Sequence, residues 1–331
     1  VVNLERLRRG TVTLTVAADQ ATGRYLIADG AGAFGGTLTI DNGVNVPAVL
    51  AINGRVELGG RSFSLKLLDQ ALYLTVVGDD RVLLYAGSEL VAGGDGVAGL
   101  AVGGSAAADR MEILSGGTAS AATVSSGGIQ NVQAGGSALV TAVLGGGTQS
   151  IAGFASATAV SPGGVQNVQT EGSVLAATVL GGTQNVAGFA SATAVSSNGL
   201  QFLTDGGSAL DTVVTADGVQ HVRSGATASG TVLSGGIQLV SSGGRAAGTA
   251  VETSGLASIA AGGVLTGLTV GSGGTAVIAG TLENGVVSSG GKLEFQNGCV
   301  LSGTLEVGGG EVTTPGPVSV AAGTKLRLSL D

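Results

Sequence analysis

Apolar residues return along this chain in two columns. The first reads Val132, Ile151, Val168, Val186, Leu203, Val222, Val240, Ile259, Ile278 and Phe295, with gaps of 17 to 19 residues, and never turns polar. Two positions before its first seven members stand Gln130, Gln149, Gln166, Gln184, Gln201, Gln220 and Gln238. Residues two apart on a strand share a face, so these glutamines are predicted to point into the core beside the aliphatics. Later turns agree, since the same position becomes Ala257, Ala276 and Leu293. The second column is Val124, Val143, Val160, Val179, Val195, Val214, Val232, Val251, Val270 and Val287, all but the last closing a Thr-Val or Thr-x-Val step. Glycine pairs such as Gly127-Gly128, Gly163-Gly164 and Gly243-Gly244 lie between the columns and supply corners. Each unit therefore reads strand, corner, strand, corner. A repeat of about 18 residues marks a solenoid, here an all-β parallel β-helix of about 10–11 turns.

The glutamines are expected to form a structural ladder, because buried amides need partners and identical amides stacked at the ~4.8 Å strand spacing can supply them. The intervening positions, Asn131, Ser150, Asn167, Asn185, Phe202, His221, Leu239, Ser258, Val277 and Glu294, follow no packing rule and are expected to face outward.

Residues 1–86 follow another pattern. Thr11 to Val16, Gly36 to Ile40, Arg55 to Leu58, Ser62 to Leu67 and Ala71 to Val76 alternate apolar with polar between turn signals such as Asn53-Gly54 and Gly59-Gly60. That pattern predicts a small antiparallel β module with one wet face. The solenoid is assigned to 87–312, with Gly93-Gly94-Asp95-Gly96 and Gly103-Gly104-Ser105 as an imperfect first turn. Thr313-Thr314-Pro315-Gly316-Pro317 interrupts it, so 313–331 is read as a terminal strand pair, Val318 to Leu330, or the start of a further segment.

Composition suits a thin-cored rod. There are 63 glycines, no tryptophan and 11% charged residues, yet 44% of the chain is hydrophobic. A disordered Gly/Ser tract would lack the aliphatic columns. No run reaches the ~18 apolar residues of a membrane span. A formal net charge of −8 disfavours nucleic acid and anionic membranes as partners, and Arg6, Arg8 and Arg9 are read as a solvated end. The single Cys299 excludes an internal disulfide and is expected to be a buried small residue.

Catalysis finds little to work with. The solenoid's carboxylates are sparse, and Asp205, Asp211 and Asp217, the nearest to a cluster, sit at corners where aspartate is favoured by turn chemistry. His221 is the only histidine and occupies the outward column without a second ligand or nucleophile at useful spacing. No catalytic residue, metal ligand or cofactor is assigned. A flat threonine array of the kind that binds ice is a further idea, from Thr141, Thr158, Thr193, Thr212 and Thr249 in one register and Thr123, Thr178, Thr231 and Thr269 in the neighbouring one; alternation would turn one set inward. Outward rows of Ser, Thr and Asn suit many weak contacts with another copy.

Units such as Ser126-Gly127-Gly128-Ile129-Gln130-Asn131-Val132, Gly163-Gly164-Val165-Gln166-Asn167-Val168 and Gly243-Gly244-Arg245-Ala246-Ala247-Gly248-Thr249-Ala250-Val251 resemble the repeats of AIDA-type autotransporter adhesin passengers, the family of antigen 43 and TibA. The resemblance covers roughly 92–310. More weakly, Gly23 to Ala28 and Gly36 to Ile40 are similar to β modules that accompany such repeats in large bacterial surface proteins. The resemblance implies a right-handed β-helix at a bacterial cell surface, or secreted, serving adhesion, self-association and biofilm formation. The partners it implies are another copy, or a receptor or glycan on a host or neighbouring cell. It also implies O-linked heptose on serines before glycine pairs, for which Ser115, Ser126, Ser234, Ser242 and Ser289 are candidates. The sequence shows neither the signal peptide nor the outer-membrane barrel of that family, which suggests a passenger portion or another export route. The alternatives are a carbohydrate-acting β-helix whose active residues lie elsewhere, and an architectural spacer.

Overall fold

A computed structural model describes residues 11–329 other than 79, 205 and 216. Arg6, Arg8, Arg9, Asp205 and Leu330 lie outside the described residues. The described chain is all-β, and its greater part is a parallel β-solenoid of about 12 turns of ~19 residues. The column read from the sequence runs from Val132 to Phe295, and one further turn continues it at each end. Met111 pairs in register with Gln130 at one end, and Val312 with Leu293 at the other.

Each turn contributes one four-residue strand to the glutamine sheet, as in Ile129–Val132, Thr148–Ile151 and Val165–Val168. Up to Ala250–Val251 it also contributes two short strands to the opposite sheet, as in Ser137–Leu139 and Ala142–Val143, and in later turns these merge into single strands such as Val264–Val270 and Thr281–Ser288. Between these two short strands the chain bends at one residue with positive φ. Stacked turn on turn, that position is Ala121, Val140, Ala157, Ala176, Ala192, Asp211, Gly230, Gly248 and Gly267. From Ala121 to Gly248 each N–H there bonds to a carbonyl of the next turn, for example Val140 to Ser156 at 2.8 Å, so the backbone ladder continues through the bend.

The aliphatic columns meet inside. Val132, Ile151, Val168, Val186, Leu203, Val222 and Val240 pack against Val124, Val143, Val160, Val179, Val195 and Val214 in one continuous core. The second column is not valine throughout. Leu233, paired with Val214, is the buried residue of its turn, while Val232 faces outward beside Val213. A one-residue shift exchanges the two faces of a strand, and two-residue strands do not reveal it.

The N-terminal strands are β1 (Thr11–Thr15), β2 (Gly23–Ala28), β3 (Thr37–Asp41), β4 (Ala48–Ala51), β5 (Arg55–Leu58), β6 (Arg61–Leu68), β7 (Ala71–Val77), β8 (Val82–Ala86) and β9 (Glu89–Gly94). Most pairings are antiparallel, as expected, but β1 runs parallel to β3 in a separate three-stranded sheet with β4. The others join the glutamine sheet, making it 18-stranded. The seam is β8, which pairs antiparallel with Arg110–Ile113 and lays Leu84 beside Met111. Val82 and Leu84 thereby enter the solenoid core, and the first rung's backbone groups are satisfied. Gly93-Gly94 belongs to β9 and this module rather than to a first solenoid turn. At the far end Ser319–Val320 and Lys325–Ser329 both pair parallel with Val300–Gly308, extending the coil.

Candidate functional site

All seven glutamines are buried with no exposed surface, and their carboxamides form a chain along the axis. Gln149 Nε2 donates to Gln130 Oε1 at 2.7 Å, Gln166 to Gln149 at 2.7 Å, and Gln184 to Gln166 at 2.6 Å. The chain continues from Gln201 to Gln184 at 2.7 Å, Gln220 to Gln201 at 2.8 Å, and Gln238 to Gln220 at 2.7 Å. Both ends are closed by side chains. Gln130 Nε2 meets Met111 Sδ at 3.2 Å, and Gln238 Oε1 accepts from Thr249 Oγ1 at 3.0 Å where Ala257 replaces the next amide.

Threonine hydroxyls supply a second donor that the glutamine pattern did not announce. Thr141, Thr158 and Thr212 each donate to a glutamine Oε1 at 3.3 Å, and Thr231 to Gln220 at 3.0 Å. These threonines, with Thr193 and Thr249, are buried, so no flat outward array of them exists to meet ice. Thr231 belongs to this inward set and not to the outward register of Thr123, Thr178 and Thr269. The signal in sequence was its spacing, 11 residues after its glutamine as for Thr141, Thr212 and Thr249. The ladder is thus a satisfied internal scaffold, with no opening to a ligand.

Chemistry open to solvent must lie on the outside. On the glutamine sheet, Asn131, Ser150, Asn167, Asn185, Phe202, His221 and Leu239 stack in one half-buried column. Asn185 Nδ2 donates to Asn167 Oδ1 at 2.8 Å. His221 Nε2 lies 2.7 Å from Ser241 Oγ, its ring centroid is 6.1 Å from that of Phe202, and Arg223 covers Phe202 at 4.6 Å. Partial burial, and then the Arg223 charge, hold the His221 pKa below its ordinary value. Asp211 and Asp217 occupy left-handed corner positions, with φ of 53° and 65°. Among the described residues no group of three or more His, Cys, Asp or Glu side chains is placed to hold a metal. Cys299 is buried, which raises its thiol pKa.

The candidate serines divide. Ser115, Ser126, Ser242 and Ser289 are exposed at corners. The hydroxyls of Ser115, Ser126 and Ser242 lie under Gly135, Gly146 and Gly262 of the following turn. Ser234 differs: it closes the strand Val232–Ser234 and is half-buried. The opposite sheet presents a feature that single-turn alignment hides. Its outward side chains alternate large and small from turn to turn, with Leu139, Phe154, Leu175, Phe189 and Leu210 interleaved among serines. The identical stretches 153–161 and 188–196, two turns apart, were the available signal.

Neither a protein-family model nor a curated protein matches the chain. Among solved structures, the crystal structure of a TibC-catalysed, hyper-glycosylated TibA fragment is similar. The two are 30% identical with a TM-score of 0.52, over 71% of this chain and 97% of that fragment.

Proposed function

The chain belongs to the TibA-like family of β-solenoids, and on that premise we propose that it is the displayed passenger region of an AIDA-type autotransporter adhesin, exposed at a bacterial surface or secreted. Its work is mechanical: a rod of about 12 turns, some 55 Å at ~4.8 Å per rung, holds repeated side chains at fixed spacing. Adhesion and self-association then arise from many weak contacts in register, and the solenoid is not an enzyme. The observation that carries this reading is the division of labour across each strand. The glutamine amides and the aliphatic columns are consumed inside by the scaffold, while short polar side chains such as Asn131, Ser150, Asn167 and Asn185 on one sheet and Ser137, Ser156, Ser173 and Ser191 on the other stand outside.

Glycosylation belongs to the same reading. Exposed Ser115, Ser126, Ser242 and Ser289 are the acceptors we assign, with Ser234 less accessible. The test is surface display in a non-aggregating bacterial strain. Cell clumping or attachment above that of the empty display system is expected, and intact-mass analysis after co-expression with a heptosyltransferase is expected to show added sugar. Display without clumping or attachment would overturn the adhesin reading.

A further inference from the structure

Five successive turns of the sheet opposite the glutamines carry an outward checkerboard. Reading each strand's two outward positions gives Ser137 and Leu139, Phe154 and Ser156, Ser173 and Leu175, Phe189 and Ser191, then Ser208 and Leu210. Registration is direct: Phe154 pairs with Ser137 and Ser173, and Leu175 with Ser156 and Ser191. Every large side chain thus has serines above and below it. Phe154 and Phe189, two turns apart in one column, are 36% and 40% exposed, and Leu175, in the other column of the turn between them, is 45% exposed.

Charge is excluded from this face. None of its ten outward residues is charged, and no lysine or arginine occurs between Arg110 and Arg223. The whole chain carries −8, so two copies repel except where they meet on an uncharged surface.

We propose that this face is the contact through which two copies of the chain associate, related by a two-fold axis lying between adjacent rungs. That axis sets each large residue against a small one: Phe154 opposite Ser173 of the second copy, Leu175 opposite its Ser156, and Leu139 opposite its Ser191. Isologous pairing requires such self-complementarity. A patch of about 24 Å by 10 Å covers on the order of 250 Å² per copy, well below the ~800 Å² per partner of a standard interface. A single contact is therefore weak, and association emerges when many copies share a surface. The inference rests on the self-association reading above and assigns its site.

The test uses beads coated with the full chain. The triple variant Phe154→Ser, Leu175→Ser, Phe189→Ser installs the residue that already stands in the same column one turn away, so the fold has a precedent for it. A control, Asn167→Ser with Asn185→Ser, alters the other sheet, where Ser150 is likewise the neighbour. Circular dichroism and thermal unfolding verify that both fold. Wild-type and control beads are expected to cluster at the same coating density, with the triple variant needing about tenfold more or failing to cluster. Wild-type beads that stay dispersed would remove self-association itself. Clustering of the triple variant equal to wild type, or loss confined to the control, would remove this face while leaving self-association standing.

Discussion

Thr231 donates its hydroxyl to Gln220 Oε1 at 3.0 Å, reaching across the core from the opposite sheet to an oxygen that already accepts Gln238 Nε2 at 2.7 Å. One carboxamide oxygen thereby links the two sheets of a turn and two successive turns. A buried amide is costly when unpaired, so the core holds polar groups in a fixed register and not merely apolar volume.

Interrupting the ladder at its middle is expected to cost more than trimming its end. Gln184→Leu leaves Gln166 Oε1 without its amide donor and Gln201 Nε2 without its acceptor, at about 2–4 kcal/mol. Gln238→Leu removes the terminal donor and the acceptor of Thr249, whose hydroxyl can rotate, at about 1–2 kcal/mol. Leu293 and Ala257 occupy the same column, so size alone is tolerated. Denaturant unfolding of the two variants checks the order.

Thr193 is the exception among the buried threonines. Its hydroxyl has no hydrogen-bond partner, whereas that of Thr231 is bonded. Replacing an unsatisfied buried hydroxyl by a methyl removes a desolvation cost, so Thr193→Val is expected to be neutral or stabilising by up to about 1 kcal/mol. Thr231→Val is expected to destabilise by about 1 kcal/mol. Parallel thermal unfolding distinguishes the two.

His221 makes stability depend on pH. Its folded pKa is lowered from the ordinary 6.5, first by burial and then by Arg223. The unfolded chain therefore takes up a proton more readily than the folded one. Stability is full above about pH 6.5 and declines as the pH falls toward the lowered folded value. His221→Leu, matching Leu239 in the next turn, is expected to flatten this decline. Denaturation midpoints at pH 7.5 and 5.5, for both proteins, check it.

The N-terminal module closes one end of the solenoid. Removing residues 1–94 would strip β8 from Arg110–Ile113 and expose Met111 together with a row of unpaired backbone groups. Such an edge is a template for uncontrolled pairing. The shortened chain is expected to form irregular aggregates, seen by light scattering and thioflavin fluorescence, where the full chain stays dispersed at the same dilute concentration.

How much of this was readable beforehand differs from residue to residue. The glutamine column could be placed inside because it shares a strand face with the aliphatic column and because Ala257, Ala276 and Leu293 later fill it. The threonine column could not be placed in the same way. Its strands are two or three residues long, and in the turn of Thr231, Val232 and Leu233 either face satisfies a period of two. Distance across the core, absent from any linear pattern, decided that Thr231 is a scaffold residue.

By itself the sequence determined the coil: repetition near 18 residues, glycine at the corners and an invariant apolar column leave little but a stacked tube. Only the tertiary structure decided what joins to what. Val82–Ala86 does not alternate and was not among the strands that the pattern predicted, and nothing in a linear pattern says that it would cap Arg110–Ile113, because strand pairing is a long-range choice among many similar edges. The same holds outside the tube. Phe154 and Leu175 read separately as exposed apolar residues, and stacking one turn on the next makes them a surface.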